Sequence, residues 1–321
     1  MSAGVIDISR LVNEAHERIR PFLRQTILDH SPSYSLSSGA NVYFKCENLQ
    51  HTGSFKARGA MNKLLSLTAE ERERGVVTAS TGNHGAAVAF GLSHVEATGI
   101  VFVPENAEKS KTSNIEQLGA EVRYYGQDSA KTEVYARQYA AQEGMTYISP
   151  YNDPQIIGGQ GTIGAELAEQ LQTIDAVFVS VGGGGLISGI AGYLKRILPH
   201  VQVFGCSPVN SQVMVQSVQA GEILDLPSLP TLSDGTAGGV EAGSITFPLC
   251  QQWVDGYITV SEDEIRNSLR EYMAAQHMLI EGSAAVAIAA FQKEQDSFMG
   301  KNVVIVLCGA NIGLSTLKEI L

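Results

Sequence analysis

Residues 176–194 read AVFVSVGGGGLISGIAGYL, and this stretch indicates the fold class. An apolar run typical of a buried strand extends from Ala176 to Val181, the glycines of residues 182–185 follow, and an apolar helical pattern begins at Leu186. A strand, a glycine turn and a helix in direct succession make half of a parallel βαβ unit. The sequence therefore predicts an α/β protein.

The same alternation of strand and helix patterns continues along most of the chain. Helical stretches include Ala130 to Gln142 and a helix opened by Ser261 with a capping signature. Such an order favours open, mostly parallel sheets with helices on both faces, a three-layer arrangement. The other candidate strands are Asn41 to Lys45, Val76 to Ser80, Gly99 to Val103, Glu121 to Tyr125, Thr146 to Ser149, Gln202 to Cys206, Tyr257 to Val260 and Asn302 to Cys308.

The length of 321 residues favours two domains over one. Residues 75–151 hold four strand and helix units in close succession, which indicates a small domain inserted in a large one of residues 1–66 and 153–321. The alternation fails between Gln216 and Gly239, where prolines and glycines predict an irregular excursion. Such excursions often line functional sites.

Composition excludes several classes of protein. The chain has 33 acidic and 22 basic residues, a formal charge of −11, which disfavours binding to nucleic acid or to anionic lipid surfaces. It has no apolar run long enough to cross a membrane, and its N-terminus resembles neither a signal peptide nor a transit peptide. We therefore expect a cytoplasmic protein in which Cys46, Cys206, Cys250 and Cys308 are reduced thiols.

The first polar loop, residues 52–60, places Lys56 just inside a helix start and next to Phe55. Burial and the positive end of the helix dipole both disfavour the ammonium form, so such a lysine is suited to attack an aldehyde. The alternative is an ordinary surface lysine on a helix.

The second loop, Ser80 to Gly85, follows a predicted strand and opens a helix. The hydroxyls of Ser80 and Thr81, with the free N–H groups of the helix start, suit a carboxylate, and the amide of Asn83 suits a phenolate oxygen. Ordinary N-capping is the alternative, and His84 is interpreted as a structural histidine rather than a base.

The third loop is the run of glycines at Gly182, Gly183, Gly184 and Gly185. Bare amides at a helix start bind phosphate without a cationic side chain, whereas a tight structural turn needs only one or two glycines. Residues 159–164 also match the dinucleotide fingerprint GxGxxG, but no strand immediately precedes them. We interpret that stretch as a helix N-terminus whose glycines permit close packing.

The fourth element is Cys308, which follows the last predicted strand. A thiol at the end of a strand is a candidate nucleophile, but no Cys/His pair has a recognisable spacing, and a weak polar contact to a ligand is the alternative.

Together these loops resemble the fold-type II enzymes that use pyridoxal phosphate, which share the tryptophan synthase beta-like fold, and in particular the serine/threonine dehydratase and serine racemase group. The resemblance covers nearly the whole chain. Its motifs occur in family order: ENLQHTGSFKARGA (47–60), ASTGNHG (79–85), GGQGTIG (158–164), VGGGGLISG (181–189), IEGSAA (280–285) and LCGAN (307–311).

The resemblance implies a role for each site residue. Lys56 corresponds to the Schiff-base lysine and Phe55 lies against the ring of pyridoxal 5'-phosphate. The remaining assignments are Asn83 to the ring phenol oxygen, Gly182 to Gly185 to the phosphate, Ser80, Thr81, Gly82, Asn83 and His84 to the substrate carboxylate, Cys308 to the pyridine nitrogen, and Glu281 to a place near the cofactor or a structural role at a helix start.

The resemblance also implies a small domain that closes over the substrate and a homodimer. Relatives with racemase activity carry acidic cation ligands where this chain has Ser207, Ser211 and Val213, so we expect no metal there. We expect no C-terminal regulatory domain after the last helix. Residues 233–239 resemble dehydratases of other 3-hydroxy amino acids, including those of hydroxyectoine breakdown.

The implied activity is β-elimination of a 3-hydroxy amino acid such as L-threonine or L-serine, giving a 2-oxo acid and ammonia. Racemisation of serine stays open because Thr81 retains a hydroxyl where racemases carry serine. A sulfide-dependent transferase of the cysteine synthase type also stays open, as does a non-catalytic module that binds a nucleotide at Gly182 to Gly185.

Overall fold

The computed structural model describes residues 6–321, except for the side chain of Ser110. Residues 1–5, with which the predicted large domain and the predicted N-terminal segment begin, lie outside the described residues. Among the described residues, no helix combines the length and the apolar character that a membrane crossing requires.

The described residues form ten strands, and the nine strands predicted from sequence are among them. Their ends differ from the predicted ones by up to two residues. The strands are β1 Leu28–His30, β2 Asn41–Lys45, β3 Val76–Ala79, β4 Gly99–Val103, β5 Glu121–Tyr124, β6 Thr146–Tyr147, β7 Ala176–Ser180, β8 Gln202–Pro208, β9 Gly256–Val260 and β10 Asn302–Val306.

The strands form two sheets, which confirms the predicted α/β class with mostly parallel pairing. The larger sheet has the order β1-β2-β10-β7-β8-β9, and all its pairs are parallel except β1 with β2. The smaller sheet has the order β5-β4-β3-β6, is entirely parallel and uses only residues 76–147. Strand β1 was not predicted, because three residues reading Leu-Asp-His carry no strand pattern.

Helices cover the sheets on both sides. Helix α13 packs against β7, β8, β9 and β10, and the large core also takes side chains from α8, α9 and α12. The α-helices of the described residues are α1 Ile8–Ile19, α2 Pro32–Ser38, α3 Lys56–Leu65, α4 Ala69–Arg74, α5 Asn83–Leu92, α6 Lys109–Gln117, α7 Ser129–Gln142, α8 Pro154–Gln170, α9 Gly185–Ile197, α10 Val213–Ala220, α11 Thr246–Trp253, α12 Glu262–Gln276, α13 Gly282–Glu294 and α14 Leu314–Ile320.

The glycines of residues 159–164 lie inside α8, so the prediction that they form a helix N-terminus was wrong. The helix begins at Pro154, with Asp153 as its N-cap. The expected close packing is present: a Cβ on Gly159 would lie 2.6 Å from the carbonyl oxygen of Arg58, and a Cβ on Gly161 would lie 2.9 Å from that of Gly189. These glycines bring α8 against α3 and α9.

The predicted irregular excursion begins later than expected. Helix α10 continues to Ala220, so the part of the prediction covering residues 216–220 was wrong. The apolar side chains of Val213, Met214 and Val215 are buried there and stabilise the helix. From Gly221 to Gly239 the chain is irregular apart from one short 3-10 turn at Asp234–Thr236.

Candidate active site

The predicted loops meet at the carboxyl ends of the parallel strands. The loop after β10 runs beside the segment before Lys56, because Phe55 N donates to Cys308 O at 3.0 Å and Ser54 forms a bridge with Gly309. The loop after β3 reaches the same place through Asn83, which hydrogen-bonds Glu281. The predicted convergence is therefore present in the structure.

Lys56 is the first residue of α3 and is half-buried. Its Nζ donates to the carbonyl oxygen of Pro150 at 2.8 Å and lies 5.1 Å from the centre of the Phe55 ring. Burial lowers the pKa of Lys56 to about 8, although the charge of Glu281 opposes the shift. The amine is thus easier to deprotonate than a surface lysine.

Buried charges anchor the helix that carries Lys56. The Arg58 guanidinium donates from Nε and Nη2 to Glu47 at 2.7 and 2.8 Å, and from Nη1 and Nη2 to Glu166 at 2.6 and 2.9 Å. Lys45 Nζ donates to Glu166 Oε2 at 2.5 Å, which balances the two carboxylates with two cations. Side chains two residues apart on a helix point to opposite sides, so Arg58 holds the side of α3 that lies away from Lys56.

Glu281 is the centre of a hydrogen-bond network. Asn83 Nδ2 donates to both of its carboxylate oxygens at 3.0 Å, and Asn311 N donates to Oε2 at 3.0 Å. Asn311 Nδ2 also donates to Asn83 Oδ1 at 2.6 Å. Burial raises the pKa of Glu281 to about 7 against the effect of the Asn83 hydrogen bond, and the charge of Asp234 adds to the rise.

The contacts of the Glu281 side chain bear on the two predictions for this residue, a place near the cofactor or a structural role at a helix start. The residue occupies the N-cap position of α13, but its side chain caps none of the helix N–H groups in the described chain. The carboxylate turns instead toward Asn83 and Asn311. Asn311 carried no assigned role in the sequence analysis, although it stands in the LCGAN motif.

Cys308 is buried, and its Sγ lies 4.0 Å from Glu281 Oε1. Burial and the charge of Glu281 raise the pKa of the Cys308 thiol well above its ordinary value. The side chain is therefore held as a neutral thiol, which is the wrong state for a nucleophile. The geometry favours a weak polar contact.

The loop from Ser80 to Asn83 opens α5. The Ser80 hydroxyl accepts from Gly82 N at 3.1 Å, and within the described chain no side chain caps the N–H groups of this helix. The helix start is thus open to an anion. His84 behaves as the structural histidine expected, because its Nε2 donates to Ile148 O at 3.1 Å and burial lowers its pKa to about 3.

The glycine loop at residues 182–185 is packed too closely for side chains. A Cβ on Gly183 would lie 2.5 Å from the Tyr151 ring, and a Cβ on Gly182 would lie 2.9 Å from Thr236 O. Gly184 has a φ of +84°, which favours glycine. A loop of bare amides at the start of α9 fits a phosphate group.

Two residues beside the glycine loop had no individual role in the prediction from sequence. Tyr151 carries no pattern that marks it, and it contacts the loop only because β6 and α8 bring it there. Thr236 lies within residues 233–239, the stretch that resembles dehydratases of other 3-hydroxy amino acids. Pro150, next to Tyr151, accepts the hydrogen bond from Lys56.

Residues 207–213, where no cation is expected, carry hydroxyl groups that hydrogen-bond within the chain. Ser207 Oγ donates to Ser211 O at 3.0 Å, and the hydroxyls of Ser211 and Ser228 are 2.7 Å apart. Over the described part of the chain, no group of three His, Cys, Asp or Glu side chains has the arrangement of a metal site. Metal independence stays a prediction.

Comparison with known proteins decides the family. Residues 19–309 match the family described as pyridoxal-phosphate dependent enzyme. The chain belongs to this family. The glycine loop, Lys56 and Asn83 therefore lie in an enzyme that uses pyridoxal phosphate, in agreement with the predicted cofactor and fold.

The relatives of this chain within the family include an L-threonine ammonia-lyase and a serine racemase. The chain is 38% identical to an L-threonine ammonia-lyase of Geobacter sulfurreducens, over 97% of this chain and 77% of the relative. It is 38% identical to a serine racemase of Arabidopsis thaliana, over 96% of this chain and 94% of the relative. The solved structure of the processed form of threonine deaminase isoform 2 from Solanum lycopersicum superposes with a TM-score of 0.95 at 31% identity, over 99% of this chain and 93% of that one.

Proposed function

We propose that this protein deaminates a 3-hydroxy amino acid such as L-threonine or L-serine to a 2-oxo acid and ammonia. The bond from Cα to hydrogen and the bond from Cβ to the hydroxyl break, and the water that leaves is regained when the product is hydrolysed. The family, the threonine ammonia-lyase relatives and the geometry around Lys56 support this reaction.

The observation that carries elimination rather than transamination is the neutral thiol of Cys308. Bound pyridoxal phosphate supplies an aldehyde for the substrate amine and a ring that withdraws electrons from Cα. A neutral thiol at the pyridine nitrogen cannot hold a full positive charge there, which limits how long negative charge at Cα persists. Early loss of the β-hydroxyl is then favoured over proton transfer to another carbon.

The chain's own residues take the following proposed roles. Lys56 Nζ removes the Cα proton, for which its lowered pKa of about 8 keeps a usable fraction of the amine neutral. The open start of α5, with Ser80 and Thr81, binds the substrate carboxylate. Gly182 to Gly185 hold the phosphate, and Phe55, Asn83, Glu281 and Cys308 surround the ring.

Borohydride reduction tests the central assignment. The purified protein loaded with pyridoxal phosphate is reduced and digested, and the pyridoxyl group is expected on the peptide that contains Lys56. A label on another lysine, or a protein that stays colourless with added cofactor, contradicts the proposal. Release of 2-oxobutyrate and ammonia from L-threonine is the matching activity assay.

Serine racemisation is the second candidate, supported by the Arabidopsis relative and by the hydroxyl of Thr81. We propose that it is the minor reaction. The balance depends on whether Thr81 returns a proton to the opposite face of Cα before the hydroxyl leaves.

We also propose that residues 75–151 form a small mobile domain, because the four-stranded sheet draws only on this part of the chain. Small-angle scattering with and without a non-reactive amino acid tests closure, and an unchanged profile argues against it. We also propose that the protein is a cytoplasmic homodimer, as the sequence and its family resemblance imply. Sedimentation at several concentrations would reveal a monomer instead.

A further inference from the structure

An ion-pair cluster lies beside the Lys56 site. The Arg137 cluster, defined as Glu133, Arg137 and Glu241, joins α7 of the small sheet to the loop before α11. Arg137 Nη2 donates to Glu133 Oε1 at 2.8 Å and also to Glu241 Oε1. The Arg137 and Glu241 side chains are 34% and 26% exposed, so both reach solvent-accessible space.

Residues 150–152 connect the Arg137 cluster to the Lys56 site. Asn152 Nδ2 donates to Glu241 Oε2 at 2.8 Å, and Glu241 N donates to the Tyr151 hydroxyl at 2.9 Å. The Tyr151 ring covers Gly183 in the glycine loop, and Pro150 O accepts from Lys56. The backbone of residues 150–152 therefore links the cluster to Lys56, and the charge of Glu133 acts on Lys56 by raising its pKa.

The charges of the cluster do not balance. Two carboxylates face one guanidinium, which leaves a net charge of −1 and leaves Arg137 already paired with carboxylates from two elements. A substrate with a neutral side chain does not disturb these pairs. A substrate with a side-chain carboxylate meets negative charge and gains a cation only if Arg137 leaves Glu241.

Resting on the proposed function, we infer that Glu241 is a specificity-determining residue that occupies Arg137 and excludes 3-hydroxy amino acids with an acidic side chain. The substrate class is thereby narrowed to 3-hydroxy amino acids whose side chain carries no negative charge. If Glu241 only linked the two sheets, its substitution would change kcat/KM for all substrates alike. If Glu241 selects among substrates, its substitution changes the ratio of their kcat/KM values.

The test compares the holoenzyme with Glu241→Gln, which removes the charge but keeps a side chain able to accept from Asn152. The substrates are L-threonine and L-threo-3-hydroxyaspartate. The matched control is Glu121→Gln, which removes the carboxylate paired with Arg123 at 2.7 Å on strand β5.

We expect the native enzyme to favour threonine by roughly tenfold or more in kcat/KM, and Glu241→Gln to reduce that ratio by about fivefold. Glu121→Gln should leave the ratio within about twofold.

A binding measurement separates this inference from the proposed function. Succinate and butyrate have the same number of carbons and differ by one carboxylate, and calorimetric titration of the holoenzyme reports their affinities without turnover. Glu241→Gln is expected to bind succinate about fivefold more tightly than the native enzyme, with butyrate little changed. An unaltered substrate ratio and unaltered succinate binding overturn the inference, as does a native enzyme that prefers hydroxyaspartate. Absence of turnover with both substrates contradicts the proposed function instead, and succinate binding then decides the role of Glu241.

Discussion

Asn83 and Glu281, 198 positions apart in the sequence, are joined by two hydrogen bonds of 3.0 Å. Asn83 opens α5 beside the four-stranded sheet, and Glu281 precedes α13 on the six-stranded sheet. One amide thus links the two sheets at the site. The contact also brings a carboxylate with a raised pKa close to the amide proposed to bind the ring phenol oxygen.

The pH dependence of Lys56 follows from its lowered pKa. In the cofactor-free protein, labelling of Lys56 by trinitrobenzenesulfonate is expected to rise with pH through a midpoint near 8, rather than near the ordinary value of 10.5. Because the charge of Glu281 raises the pKa of Lys56, Glu281→Gln should move the midpoint to lower pH. Peptide mapping by mass spectrometry measures both. A midpoint near 10.5 would show that the amine is solvated.

Glu281 makes stability depend on pH in a defined window. Its pKa in the folded protein is about 7, above the ordinary 4.5, so the folded state binds more protons between these values and stability falls as pH rises through about 7. The loss attributable to this group is at most about 3 kcal/mol. Denaturant unfolding of the cofactor-free protein at pH 4.5 and pH 7.5 should show this loss in the native chain but not in Glu281→Gln. The exposed variant Glu319→Gln should retain the native pH dependence, and equal behaviour of both variants would falsify the assignment.

Gly183→Ala tests the glycine loop. The new methyl group would lie 2.5 Å from the Tyr151 ring, so either the ring or the loop must move. We expect cofactor affinity to fall by roughly tenfold or more, corresponding to about 1.4 kcal/mol. Gly239→Ala is the matched control, because no atom lies within 4 Å of the Cβ it would add. Fluorescence titration with pyridoxal phosphate measures both, and equal affinities would argue against a phosphate cradle at Gly183.

We propose that Thr81 controls the balance of elimination and racemisation. With L-serine, pyruvate should form faster than D-serine, and Thr81→Ala should lose the remaining D-serine while elimination persists. Thr81→Ser should raise the D-serine fraction, because the smaller hydroxyl side chain has fewer steric restrictions. Chiral chromatography with a pyruvate assay gives both rates. More D-serine than pyruvate from the native enzyme would reverse the order of the two candidate functions.

Activity is expected to survive chelation. Ser207, Ser211 and Val213 offer no carboxylate to a hard cation, and the two serine hydroxyls hydrogen-bond within the chain. Incubation with EDTA followed by assay with and without Mg²⁺ should change the rate by less than about twofold. Strong inactivation that Mg²⁺ reverses would reveal a cation site elsewhere.

Much of the fold was predictable because its signals are local. Nine strands were found from short apolar runs, and the capping box at Ser261 and Glu264 marked the start of α12 correctly. β1 was missed because it is a strand only through its pairing with β2. The glycines inside α8 were misplaced because close packing against α3 and α9 depends on distant residues.

Local sequence patterns were enough to predict nine of the ten strands of the described residues and the residue types that follow each strand, since strand periodicity, glycine turns and capping residues act over a few neighbouring positions. It also placed Lys56 at a helix start and the glycines ahead of α9. Tertiary structure alone decided which of these groups touch and how they ionise. The pairing of Glu281 with Asn83 and the pairing of Arg137 with Glu241 join residues far apart in the chain. The raised pKa values of Glu281 and of the Cys308 thiol follow from burial, which only the folded protein establishes.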